Sequence, residues 1–178
     1  MRDARCATRK LRREVAVTLR GEAGEIREML ALALEWEAAH VSVESAVAEL
    51  APSDWGRVPD GMPHSAWQLL EHIRLTQRDI LDFCCDPEYR ERTWPDDYWP
   101  PTAAPPDDAA WDSCLGSLRE DRAALARIVR DSTRSLVAPI PHGDGQTLLR
   151  EALLVIDHTA YHVGQIVTVR KAMGAWER

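Results

Sequence analysis

Four long segments of this chain repeat apolar side chains at three- and four-residue steps, and clusters of proline and glycine separate them. That period places the apolar side chains of each segment on one face of an α-helix. The alternation of β-branched and polar residues that marks a strand is missing, and so are the dipeptides typical of hairpin turns. The pattern therefore predicts an all-α fold and disfavours a β-rich one.

Capping residues and helix breakers give the limits of the four predicted helices. We expect the first over residues 22–50, with a stripe of Met29, Ala33, Trp36, His40, Val43, Val47 and Leu50. The other three begin after cap residues and end near breakers or charged residues: Ser65 to Pro87, Asp107 or Asp108 to Arg130, and Thr147 to Gly174. Gln68 follows Ser65 by three residues, which is the spacing of a capping box.

The segment between the second and third predicted helices is rich in tryptophan and proline, and it is too apolar for a disordered linker. At about 20 residues it is long enough to return along the molecule, so these two helices can run parallel. The segment lengths therefore predict a four-helix bundle with up-down-down-up order and a long crossover between helices 2 and 3.

Charge is distributed unevenly along the 178 residues, whose net charge is −7. Residues 1–20 hold seven of the basic side chains, and we expect them to be a flexible extension. Residues 21–178 are then one domain of ordinary size. The acidic balance argues against a nucleic-acid partner, because phosphates require a basic face.

The cysteines indicate the compartment. Cys6, Cys84, Cys85 and Cys114 form no CxxC pair and make a poor disulfide framework, so we expect free thiols in a reducing cytoplasm. No segment reaches the roughly 18 apolar residues that read as a membrane span, and the first 20 residues lack the apolar region of a secretory signal. We therefore expect a cytoplasmic protein without a membrane partner.

Three histidines lie where helices would bring them together. His158 and His162 are four residues apart and so leave one face of the fourth helix, and His72 lies on the inward side of the second. Two such imidazoles can reach one divalent ion, each at about 2.0–2.1 Å. The alternative is a hydrogen-bonded polar core. Three protein ligands would leave coordination positions open, as in catalytic rather than structural zinc sites.

Other polar residues could join such a site. His40 has three interpretations, a fourth ligand, a pocket acid–base group or a hydrogen-bonded core histidine, and we favour the last. Helical spacing points Gln165 toward the same pocket, while Tyr161 neighbours His162 and points partly away. His64 and His142 fall in loops beside proline, where we expect them to be solvated. None of these is assigned as a general base.

Two motifs resemble those of a known family. Residues 63–73, PHSAWQLLEHI, resemble the helix-two motif of the DinB/YfiT-like superfamily, and residues 157–166, DHTAYHVGQI, resemble its helix-four motif. Residues 94–100, WPDDYWP, and 145–151, GQTLLRE, are similar to one DinB branch. The resemblance covers about residues 20–176 and implies an up-down-down-up four-helix bundle.

The resemblance also implies a site and a chemistry. The family's divalent metal would be held here by His72, His158 and His162, with Zn²⁺ or Ni²⁺ the expected ion. Relatives commonly form homodimers, and some are transferases or isomerases that use a low-molecular-weight thiol. The expected function is a metal-dependent thiol transferase or hydrolase acting on a small molecule. A non-catalytic metal-binding stress-response module and a purely structural bundle remain the alternatives.

Overall fold

The computed structural model describes residues 21–35 and 39–176. Its helices are α1 (residues 21–35), α2 (Val43–Val47), α3 (Ala66–Cys85), α4 (Asp108–Arg130) and α5 (Leu148–Ala172), with short 3-10 helices at Pro52–Asp54 and Asp96–Tyr98. Across these two ranges there is no strand, and the isolated β-bridge pairs Pro139 with Thr147. The prediction of an all-α fold is confirmed.

The predicted helix starts are also confirmed, because the caps form as expected. The Ser65 hydroxyl accepts from the Gln68 backbone N–H at 3.1 Å, and the Gln68 side chain accepts from the Ser65 N–H at 3.1 Å. Asp107 caps α4 and Thr147 caps α5, each through its side chain. Gly174 follows α5 with φ +71°, a left-handed conformation that favours glycine. These local bonds fix where the three long helices begin.

The prediction of one helix over residues 22–50 is wrong. The chain bends at residues 39–40 and restarts as α2, whose N-cap is Ser42. The Ser42 backbone is extended, with φ −65° and ψ 166°, and its hydroxyl accepts from the Ser45 N–H at 3.1 Å. Serine that bonds to nearby backbone competes with a continuing helix, which explains the break.

The predicted stripe of the first helix is correct only in its second half. Val43, Val47 and Leu50 are buried, whereas Met29 is 56% exposed and His40 is also exposed. The core side of α1 is formed instead by Leu30, Ala31 and Leu34. Trp36 lies outside the described residues. An apolar repeat identifies a helix, but it does not by itself decide which of two neighbouring rows of side chains along that helix is buried.

The core consists of two clusters that share the three long helices. One joins the first half of α3, the first half of α4, the second half of α5 and α2, with members such as Leu69, Leu118, Ile166 and Val47. The other joins the second half of α3, the second half of α4, the first half of α5 and α1, with members such as Ile80, Leu125, Ala152 and Leu34. α3 contacts both α4 and α5, and the candidate site lies between α3 and α5.

A buried carboxylate of α3 is one of the groups that attach the crossover between α3 and α4 to that helix. Asp79 accepts hydrogen bonds from the hydroxyls of Tyr89, at 3.0 Å, and Tyr98, at 2.7 Å. The guanidinium of Arg92 lies 3.5 Å from the same carboxylate. The crossover is therefore packed along α3, as expected from its apolar composition.

Residues 1–20, the expected basic extension, lie outside the described residues, so their separation from a domain over 21–178 stays a prediction. Among the helices that the structure describes, none combines the length and the hydropathy needed to cross a membrane. Cys84 and Cys114 are buried and Cys85 is exposed, and all three are free thiols.

Candidate metal centre

The structure brings His72, His158 and His162 together. One ring nitrogen from each lies within 4.8 Å of the other two, and the Nε2 atoms of His72 and His158 are 3.1 Å apart. Two nitrogens held tetrahedrally by one Zn²⁺ at about 2.0–2.1 Å are separated by about 3.3 Å. The grouping that the spacing and the stripe positions predicted therefore exists in the fold, and the His72–His158 separation is close to the one that a single ion requires.

Hydrogen bonds on the far side of two rings fix which nitrogen faces the group. The Nδ1–H of His72 donates to the Tyr98 carbonyl at 2.7 Å, because a carbonyl oxygen can only accept. The Nδ1–H of His162 donates to the Gln165 side-chain oxygen at 2.6 Å. In both neutral rings the lone pair is then on Nε2, which is the tautomer control that protein ligands of metals normally receive.

Burial keeps all three imidazoles neutral. It lowers the pKa of His158 to about 3 and that of His162 to about 4, and it also lowers the pKa of His72. The neighbouring imidazoles act in the same direction, while the bonds to Gln165 and Tyr98 oppose the shift for His162 and His72. Neutral imidazole is the form that binds a metal ion, so the group is ready to bind one at neutral pH.

Trp99 of the crossover forms one wall of the group. Its ring stacks on His72 with centroids 3.9 Å apart and planes 4° from parallel, and on His64 with centroids 4.1 Å apart. His64, expected to be solvated, is instead half-buried, and burial lowers its pKa. The sequence contained a signal for this position: His64 directly precedes the Ser65 cap, and that cap lies two helical turns before His72 on the same helix.

The remaining candidates are divided between this group and other surfaces. Gln165 contacts His162 as expected, and the Tyr161 ring packs edge-on against His162 with centroids 5.0 Å apart, although Tyr161 is 64% exposed. His40, which we expected to be a hydrogen-bonded core histidine, is instead exposed; its Nδ1–H donates to the Val41 carbonyl at 2.8 Å, and it lies outside the three-histidine group. His142 is exposed and donates through Nε2 to the Phe83 carbonyl at 2.8 Å.

These features define an all-helical protein with three convergent histidines between two of its long helices. A family model described as the DinB superfamily matches residues 35–166, which is more than half of the chain and includes all three histidines. The chain belongs to the DinB superfamily. Comparisons with curated proteins and with solved structures gave no match.

Proposed function

We propose that His72, His158 and His162 bind one divalent metal ion and that the protein is a metal-dependent enzyme acting on a small molecule. The observation that carries the proposal is the set of three neutral imidazoles, two with their lone pairs fixed on Nε2 by bonds to Tyr98 and Gln165. Within the described residues the group contains no fourth histidine, cysteine or carboxylate. Such a set leaves positions for water or substrate, as catalytic zinc sites do.

The metal, Zn²⁺ or Ni²⁺, would lower the pKa of a bound water or thiol and so supply a nucleophile near neutral pH. With a low-molecular-weight thiol as cofactor the reaction is a group transfer, and with water it is a hydrolysis. Membership of the DinB superfamily supports this class of chemistry.

The chain's own residues orient and enclose the site. The Tyr98 carbonyl and the Gln165 amide hold two imidazole rings in place, which removes rotational freedom from the ligands. Trp99 covers one face of His72 and keeps water from that side. Tyr161 borders His162 from the exposed side, where its ring can contact a bound substrate.

We also propose that the domain is an up-down-down-up four-helix bundle and a cytoplasmic homodimer. Support for the helix order comes from the two core clusters. One cluster contains the first halves of α3 and α4 together with the second half of α5, and the other contains their second halves together with the first half of α5. This is the arrangement expected if α3 and α4 run parallel and α5 runs antiparallel to both. Ile26, Met29 and Leu32 are exposed apolar side chains of α1 that a second copy would cover. The free thiols accord with a reducing compartment.

Metal analysis of protein made without a histidine tag tests the site. We expect about one Zn²⁺ or Ni²⁺ per chain in the wild type and almost none in His162→Ala, because two ligands hold an ion much less tightly than three. His142→Ala is the matched control and should retain the metal, since His142 bonds to the Phe83 carbonyl outside the group. Metal far below one equivalent in all three proteins would refute the site.

Turnover distinguishes an enzyme from a binding module. The metal-loaded protein is mixed with 1-chloro-2,4-dinitrobenzene and, in separate reactions, glutathione, cysteine or coenzyme A, and 4-nitrophenyl acetate without thiol reports hydrolysis. We expect turnover in one of these assays that His162→Ala lacks. If a broader panel of thiols, electrophiles and esters also gave none, the non-catalytic metal-binding module would replace the enzyme.

A further inference from the structure

A cavity of about 490 Å³ lies where the second half of α3, the crossover and the first turns of α5 meet. Its volume is within the range of small-molecule sites, about 300–1,000 Å³. We call it the acidic cavity, and its lining includes Phe83 of α3, Tyr89 and Tyr98 of the crossover, and Glu151 and Leu154 of α5. The three histidines of the candidate metal centre are not part of this lining, so the acidic cavity is a separate site.

Three aromatic rings supply much of the apolar wall. The Phe83 ring packs edge-on against Tyr89, with centroids 5.3 Å apart, and Tyr98 adds a third ring. Both tyrosine hydroxyls donate to Asp79, which holds the two rings in place. Aromatic rings pack well against apolar groups, and their faces attract cations. The wall therefore suits a ligand that has an apolar body and a positive charge.

The charge of the lining is mainly negative. Four of its residues carry a carboxylate and one carries a guanidinium: Asp79, Glu91, Asp144, Glu151 and Arg150. Asp79 already has partners in the two tyrosine hydroxyls and in Arg92, which is 3.5 Å away, so its role is to hold the crossover. Glu91 and Asp144 are exposed, and their charge raises the concentration of cations near the cavity.

Glu151 is a buried carboxylate whose charge is only partly compensated. Its side chain is 3% exposed, and its Oε1 accepts from Arg150, whose side chain is 57% exposed. Within the part of the chain that the structure describes, Glu151 Oε2 accepts no hydrogen bond. Gln146, which also lines the cavity, has a buried Oε1 without a hydrogen-bond partner. Each such oxygen costs about 1–3 kcal/mol, which a ligand with N–H donors would offset.

We propose that the acidic cavity binds a primary amine, as an ammonium group on a small alkyl or aryl body. The ammonium group supplies three N–H donors and a positive charge to Glu151, and the body packs against the aromatic wall. This binding site goes beyond the metal-dependent function and does not depend on it.

Three probes with one ring test the acidic cavity at neutral pH: the benzylammonium ion, the benzyltrimethylammonium ion and benzyl alcohol. The second has the charge without N–H donors, and the third has a donor without the charge. We expect benzylammonium to bind at least about tenfold more tightly than benzyl alcohol and at least about threefold more tightly than the quaternary ion. Ligand-observed NMR titrations give the dissociation constants. Each titration is run with metal-loaded and with EDTA-treated protein, because an amine can also bind a metal ion.

Glu151→Gln removes the buried charge and keeps the shape of the side chain. We expect it to weaken benzylammonium binding at least about tenfold and to leave benzyl alcohol binding unchanged. Asp144→Asn removes a carboxylate at an exposed position, where the fold tolerates the change, and should weaken benzylammonium binding about two- to threefold. The matched control is Glu44→Gln, which makes the same change in net charge at a half-buried carboxylate of α2. Glu44 pairs with Arg122 outside the cavity, so this variant should bind benzylammonium as the wild type does.

Equal affinity of the wild type for benzylammonium and benzyl alcohol would overturn the proposal. Wild-type affinity for benzylammonium in a Glu151→Gln protein whose circular dichroism shows it to be folded would do the same. If Glu151→Gln does not fold, wild-type affinity in Asp144→Asn overturns the proposal. Benzylammonium binding that disappears in EDTA-treated protein would assign the amine to the metal ion instead of to the cavity.

Discussion

Saturating Zn²⁺ is expected to raise the melting temperature of the wild-type protein by about 8–16 °C relative to the chelated protein. We expect the metal to bind the folded chain in preference to the unfolded one, because unfolding separates α3 from α5 and with them the three imidazoles. A ligand at a thousand times its dissociation constant adds about 4 kcal/mol to the free energy of unfolding. For a chain of this size each kcal/mol corresponds to about 2–4 °C. Thermal unfolding followed by circular dichroism, with Zn²⁺ and with EDTA, measures the shift.

Histidine variants identify the site at which Zn²⁺ stabilises the protein in that experiment. His162→Ala should lose most of the shift, whereas His142→Ala should keep it. His40→Ala should keep it too, because His40 is exposed and lies outside the group; loss of the shift there would establish His40 as a further ligand. A shift of the same size in His162→Ala would mean that Zn²⁺ stabilises the protein at another site.

Asp79→Ala is expected to lower the free energy of unfolding by about 2–3 kcal/mol, because it leaves the hydroxyls of Tyr89 and Tyr98 without their shared acceptor. Burial raises the pKa of both tyrosines, and Asp79 adds to the shift, so both remain hydrogen-bond donors. Tyr98 also supplies the carbonyl that orients His72. We therefore expect Zn²⁺ affinity to fall about 10–100-fold, as when a residue that orients a metal ligand is lost.

Urea unfolding and a competition titration with a chromogenic chelator measure the two effects of Asp79→Ala. Asp82→Ala is the control on the same helix. It removes the ion pair to Arg78, whose side chain is 46% exposed, and should cost only about 0.5 kcal/mol with Zn²⁺ affinity unchanged. Tyr98→Phe keeps the carbonyl and loses one hydroxyl, so it should cost about 1 kcal/mol. Normal Zn²⁺ affinity in a destabilised Asp79→Ala protein would contradict the link between the crossover and His72.

The features predicted correctly from sequence depend on bonds between residues close together in the chain. Ser65 and Gln68 close a capping box whatever surrounds them, so the start of α3 was predictable. His158 and His162 share a face because four residues advance a helix by about one turn. The same reasoning failed for residues 22–50, because the Ser42 cap that interrupts the helix competes with an apolar period that looks continuous.

The sequence by itself therefore determined the helical class, the three long helices with their caps, and the pair of histidines on α5. The resemblance of its motifs added the family, which the comparison confirmed. Only the tertiary structure decided that Trp99 lies between His64 and His72, that Asp79 holds the crossover, and that His40 stays away from the group. The physical reason is range: caps and helical spacing act within a few residues, whereas stacking and buried hydrogen bonds join residues that only the packed fold brings together.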